Sequence, residues 1–306
     1  MAIDRTQRRS RFLDLHALAA LRNRRFTTKH TVEGLYGGRH MSRQRGGSGE
    51  FVDFRPYVGG EDLRRLDWKV LARTRRAYVR HYQDETNLPC MFVIDASGSM
   101  QFGSAGSPSA IGSKLTYVQY LATALSHVIF CQQDQVGLAV VNDGLQAYIP
   151  PGGTPEHVAR VQEAIEVIKS NPVTDLSQAL RDLFHRVRRR GLLLVMSDFL
   201  LDDLEETFGA LRLFRHRHWE VVVLHIIHPG EERLPDGMAY RFDGMENDGH
   251  VECNPDPIRA LYEKRFQDHV SAIRTVSLAS GCGYHHVSMA VDYVQVLSRF
   301  LVERSG

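Results

Sequence analysis

From residue 88 onward, short apolar runs alternate with longer stretches in which apolar residues recur every three or four positions. The short runs are 91–94, 136–141, 145–149, 192–196, 221–227 and 284–287. Their length and their Val, Ile and Leu content predict strands, several of them buried on both faces. Between them, 114–131 places Leu115, Val118, Leu121, Leu125 and Val128 on one helical face. Residues 155–169, 176–189, 204–215, 255–279 and 292–302 read as helices in the same way. Asn142-Asp143-Gly144 is a tight-turn signal that makes its two flanking runs a hairpin. A second hairpin, with turns at Asp243-Gly244 and Asp248-Gly249, is expected as an insertion over 238–253. Strands and helices in this alternation predict an α/β fold, a mostly parallel sheet with helices on both faces.

The first third has a different texture. Phe12, Leu15, Leu18, Ala19 and Leu21 predict a helix over 12–26, closed by Arg22, Arg24 and Arg25, where the helix dipole favours cations. Residues 37–49, rich in Gly, Arg and Ser, read as a loop or exposed arm. A turn at 58–62, a short helix around Trp68 and a strand at 79–82 follow. The division expected is a basic N-terminal extension over 1–86 and the α/β domain over 87–306.

Charge sharpens that division. Residues 1–80 hold 19 Lys and Arg against 8 Asp and Glu, and the remainder holds 19 against 28. A basic segment suits nucleic acid or an acidic surface. Here the cations are interleaved with Asp53, Glu61, Asp62 and Asp67, and no groove-reading motif accompanies them, so packing on the acidic remainder is the simpler expectation. No apolar run approaches the roughly 20 residues that span a bilayer, and the N-terminus lacks a secretory signal. The four cysteines, Cys90, Cys131, Cys253 and Cys282, are widely spaced with no C-x-x-C, which fits a reduced, cytoplasmic protein.

The chemistry concentrates at the end of the first strand of the α/β domain. Asp95-Ala96-Ser97-Gly98-Ser99 places a carboxylate and two hydroxyls at alternate positions of a strand tip. All are hard oxygen donors suited to Mg²⁺, with Mn²⁺ or Ca²⁺ as substitutes. The run 192–196 ends likewise in Ser197-Asp198, and in a parallel sheet both tips open on one crevice. Thr174 precedes a helix for which Asp175 is the expected cap, with Gln178 closing a capping box. Thr154, after Gly152-Gly153, is read as a turn and a helix cap, since no phosphate-loop Lys follows it.

The D-x-S-x-S pattern resembles the metal-ion-dependent adhesion site of von Willebrand factor A domains. A longer stretch narrows the resemblance: Gly47-x-Gly49-Glu50-Phe51, then Arg55-x-Tyr57-x-x-Gly60-x-Asp62-x-Arg64-x-Leu66-Asp67-Trp68, then Ala72-Arg73. With Ser197-Asp198-Phe199 these residues are similar to domain-of-unknown-function family 58, von Willebrand A-like proteins associated with MoxR-type AAA+ ATPases. The resemblance implies a von Willebrand A-like, Rossmann-like sheet. It implies a metal site at Asp95, Ser97, Ser99, Thr174 and Asp198, with an open position for a partner's carboxylate. It further implies a non-enzymatic adaptor or chaperone-like role beside such an ATPase. Many relatives carry N-terminal membrane helices and this chain shows none, so membrane anchoring is not carried over. Arg55, Tyr57, Asp62, Arg64, Asp67, Trp68 and Arg73 are expected to form a structural network or a partner surface, with Trp68 a buried anchor for the extension.

Catalysis is the weaker reading. Asp95 has the position of a phosphatase nucleophile, but the residue two further on is Ser97, not a second acid. No Gly-x-Ser-x-Gly elbow is present. His225, His228, His285 and His286 lack a third ligand at useful spacing and are expected to face solvent or cap helices.

Overall fold

The computed structural model describes residues 10–19, 37–41, 50–57, 66–83, 85–103, 112–187, 190–201, 203–237, 239–246 and 248–305. The chain divides into two units, one of residues 28–88 and one of residues 1–27 with 89–306. The N-terminal stretch thus groups with the large unit: α1 (Leu15–Ala19) follows Phe12, whose buried ring meets Tyr120 edge-on at 4.8 Å.

In the small unit, β1 (Gly37–Met41) pairs antiparallel with β4 (Glu85–Thr86), and β2 (Glu50–Pro56) with β3 (Tyr78–Gln83). The strand at 37–41 replaces the expected loop. Its partner lies more than forty residues away, at a range where local composition carries no signal. Helix α2 (Trp68–Thr74) starts where expected.

The large unit holds a six-stranded sheet. Its strands are β5 (Pro89–Asp95), β6 (Gln135–Val141), β7 (Leu145–Gly152), β8 (Leu192–Ser197), β9 (Glu220–Ile227) and β12 (Gly283–Ser288). The spatial order is β12-β9-β8-β5-β6-β7, parallel except for β7, which returns from β6 as the predicted hairpin. This is the mostly parallel α/β sheet expected from the sequence. β7 is an outer strand, carries Pro150 and Pro151, and pairs with β6 through two breaks in register.

Helices cover both faces. Helices α3 (Lys114–Cys131), α4 (Pro155–Glu166) and α9 (Tyr293–Ser305) pack on one; α5 (Leu176–Arg186), α6 (Leu204–His216) and α8 (Arg259–Ala279) pack on the other. Every residue of β5, β8 and β9 is therefore buried, which is why these strands read as nearly continuous apolar runs. Met91, Val93, Leu193, Val195, Val221 and Val223 meet Leu180 and Leu183 of α5 and Phe208 and Phe214 of α6 in one core. Each such side chain contributes roughly 1.5–3 kcal/mol by leaving water. After β9 come the single turn α7 (Pro229–Glu232) and the inserted hairpin, β10 (Tyr240–Asp243) and β11 (His250–Cys253), which among the described residues pair only with each other.

Candidate metal centre

β5 lies between β6 and β8, in register Cys90 to Val136 and Cys90 to Leu192. The parallel register brings all three C-terminal tips level, so Asp95 ends β5 beside Ser197 and Asp198. Asp95 and Asp198 are buried. Asp95 Oδ1 accepts from the Ser97 backbone N–H at 2.9 Å, folding the loop back over the strand end. Asp95 Oδ2 accepts from the Ser197 hydroxyl at 2.5 Å. Ser97 and Ser99 hydroxyls lie 3.0 Å apart, and Ser99 also hydrogen-bonds Asp198. Four of the five predicted ligands thus form one connected cluster of oxygens.

Thr174 belongs to the loop that leads into α5. That loop is stitched to the same strand tip: the Asn171 N–H donates to the Ala96 carbonyl at 2.8 Å, and Ser97 and Asn171 form an isolated parallel bridge. The Thr174 hydroxyl is buried with no hydrogen-bond partner. Asp175 caps α5 as predicted, accepting from the Gln178 N–H at 2.9 Å. The Gln178 side chain does not close the box and turns instead to Asp182 at 2.9 Å. Thr154 caps α4, as read from the sequence.

Two carboxylates, two serine hydroxyls and an unpartnered threonine hydroxyl make a hard-oxygen set that fits a small divalent cation. Among the described residues, no group of three or more His, Cys, Asp or Glu is placed to hold a metal. A centre here therefore depends on hydroxyl ligands. His228 caps α7 through the Gly230 N–H at 3.0 Å, as expected of a capping histidine. His225 is buried on Tyr284 at 2.9 Å, and burial pushes it down to about 3, so the imidazole is neutral.

The sequence reading missed a cation already at the site. Lys114, the first residue of α3, is fully buried, and its ammonium donates to Asp198 Oδ2 at 2.5 Å and to Glu231 Oε1 of α7. A cation at a helix N-terminus opposes the dipole by about 0.3–1 kcal/mol, and this was the one available signal. Burial pulls the ammonium down, but the two carboxylates outweigh it and hold it above its ordinary value. Burial pushes Asp198 up, and Lys114 more than reverses that, leaving it below the usual carboxylate range. Asp95 has no such cation. Burial, then the neighbouring Asp198 charge, raises it to about 6, against the opposing hydrogen bonds from Ser197 and Ser97.

Also unforeseen is a contact from the inserted hairpin. The Ser99 backbone N–H donates to Glu246 Oε1 at 3.1 Å, across 147 residues. The Met245 carbonyl lies so close to Gly98 that a Cβ there would collide with it.

The second predicted cluster is only partly described. Asp62 and Arg64 lie outside the described residues, as does the turn at 58–62. Asp67 is buried and caps α2, accepting from the Lys69 and Val70 N–H groups at 2.9 and 3.1 Å. Tyr57 is half-buried, and its N–H donates to the Ala77 carbonyl at 2.9 Å. Arg73 is exposed. Trp68 is 61% exposed, which corrects the expectation of a buried anchor: it occupies the first turn of α2 with its ring in solvent.

The chain as a whole is similar to known proteins. Uncharacterized protein Rv1480 of Mycobacterium tuberculosis (strain ATCC 25618 / H37Rv) is 27% identical over 293 residues, covering 94% of this chain and 89% of that protein. The crystal structure of conserved hypothetical protein BatB from Bacteroides thetaiotaomicron aligns over 72% of this chain and 99% of its own, at 16% identity and a TM-score of 0.46. An aerotolerance-related membrane protein from Bacteroides fragilis aligns over 71% and 98%, at 15% identity and a TM-score of 0.48. Among the described residues of the present chain, no helix is long and apolar enough to cross a membrane. The profile of the family described as "Protein of unknown function DUF58" matches residues 53–272, and the chain belongs to that family.

Proposed function

We propose that the chain is a non-enzymatic protein-interaction module whose docking point is a divalent cation, Mg²⁺ or in its place Mn²⁺ or Ca²⁺. Asp95, Ser97, Ser99, Thr174 and Asp198 would hold it, directly or through water. The observation that carries this reading is the Thr174 hydroxyl, buried and unpartnered on a loop stitched to Ala96. Leaving such a group unsatisfied costs about 1–3 kcal/mol, and a cation within its reach would remove that cost. A bound ion supplies a Lewis-acidic point to which a partner's carboxylate attaches.

Catalysis fits less well. The position two residues after Asp95, where a second acid would sit, holds Ser97, hydrogen-bonded to Ser99. The Lys114 amine is locked between two carboxylates. We take the partner to be a MoxR-type AAA+ ATPase, on the family resemblance, and the setting to be cytoplasmic, on the four free cysteines.

Calorimetric titration of the full chain with Mn²⁺ is expected to show one site that Asp95→Ala removes; equal binding by both proteins overturns the assignment. A pull-down of the ATPase is expected to weaken with chelator and with Ser99→Ala, and to respond less to monovalent salt than a charge-driven complex does. A chelator-indifferent complex, or one retrieving nucleic acid with steep salt dependence, would instead make the basic first third the working surface.

A further inference from the structure

We propose that Glu246, at the tip of the β10–β11 hairpin, is a further ligand of this metal centre, supplied by the chain itself at the position a partner's carboxylate would take. The inference rests on the metal-dependent reading above. Three observations carry it.

The first is position. Glu246 Oε1 lies 3.1 Å from the backbone nitrogen of Ser99, a residue whose hydroxyl joins both Ser97 and Asp198. A carboxylate has lone pairs for an amide and a cation together. The second is fit. Gly98 has no side chain, and this alone admits the Met245 carbonyl to the loop; a Cβ at Gly98 would also meet Glu246 Cγ at 3.1 Å. The residue between Ser97 and Ser99 is therefore shaped to receive the hairpin tip. Elsewhere the hairpin is lightly held: among the described residues its strands pair only with each other, and Tyr240, Met245 and Val251 are exposed.

The third is charge. Asp95 and Asp198 already share the crevice, and the buried Lys114 ammonium is divided between Asp198 and Glu231. Bringing another carboxylate beside this cluster is repulsive unless a further cation lies within it. A divalent ion resolves that repulsion, and Glu246 then closes its coordination from inside the molecule. A partner's carboxylate must displace Glu246, so the hairpin sets the threshold for docking.

The test uses the full-length chain and Mn²⁺, read by calorimetry and by water-proton relaxation, which reports how many waters the ion keeps. Asp95→Ala separates the two ideas by testing the centre itself. Glu246→Ala is expected to weaken Mn²⁺ binding at least about tenfold, the lower end of what loss of a supporting group costs a metal site. Relaxivity per bound ion should rise as water enters the vacated position. Glu246→Gln, which keeps the volume, should behave alike, and Glu252→Gln on the same hairpin should match wild type. If Asp95→Ala abolishes binding while both Glu246 variants keep wild-type affinity and relaxivity, the proposal is overturned and the centre stands: Glu246 then only satisfies the Ser99 amide. If wild type binds no Mn²⁺, both fall.

Discussion

Thr174 separates a metal ligand from an ordinary buried hydroxyl by the sign of its effects. Thr174→Val keeps the shape and deletes the unpartnered oxygen. The metal-free protein should melt at the wild-type temperature or above, because a buried unsatisfied group costs about 1–3 kcal/mol. Mn²⁺ affinity should fall in the same variant. A variant that loses stability without losing affinity would make Thr174 a purely structural residue. Asp95 gives a pH signature. Its folded-state value of about 6 lies above the ordinary 3.8, so the native state holds this proton more tightly than the unfolded chain does. Its contribution to metal-free stability is therefore present below about pH 4 and lost as pH rises through about 6, a change of about 3 kcal/mol. With chelator present, Asp95→Asn should gain on wild type over that window in thermal melts. Mn²⁺ affinity in wild type should be level above pH 7 and drop by up to about tenfold per unit below 6, as the proton competes with the ion. Asp95, Ser97, Ser99 and Asp198 were legible because oxygen donors at strand tips are a local pattern. Glu246 was not, since the contact that marks it spans 147 residues and only the folded hairpin makes it.

At the scale of elements, the strands were legible for one reason: β5, β8 and β9 are buried on both faces, so their middles are almost wholly apolar. Lys114 escaped that logic because it is the first residue of a helix with no other Lys, Arg, Asp or Glu and looks like an ordinary end residue. In the structure it ties α3, the β8 tip and α7 together through Asp198 and Glu231. Lys114→Met should strand two buried carboxylates and destabilise by about 3–5 kcal/mol in urea melts, because breaking a buried pair leaves uncompensated charge. Adding Glu231→Gln should recover part of that loss. A Lys114→Met protein as stable as wild type would mean that the ammonium is dispensable to the fold. Phe199, immediately after Asp198, is buried in the left-handed region at φ 51°, stacked on Phe208. A bulky residue held there is strained by about 1–3 kcal/mol, which packing against α6 overcomes while the chain turns sharply out of β8.

For the molecule as a whole, the sequence reading was right about the α/β sheet and wrong about Trp68. A lone aromatic in a charged run says nothing about burial, and the ring is 61% exposed. Trp68→Ala should shift stability by no more than about 0.5 kcal/mol, as at most surface positions. A loss of several kcal/mol in a chemical melt would restore the anchor reading. Should the variant fold normally yet release a partner, the residue serves binding.

The prolines of β7 restrict how this molecule can associate. Among the described residues, β7 is paired on one side only, and an unpaired edge is a template on which a foreign strand can add. Pro150 and Pro151 have no N–H to offer, and the breaks in register between β6 and β7 twist the edge away from a flat ladder. Sideways growth of the sheet from this edge is thereby discouraged, whether into dimers or into aggregates. Two imino acids on an outer strand oppose edge-to-edge pairing from a position remote from the strand tips, so that edge and crevice can be altered independently.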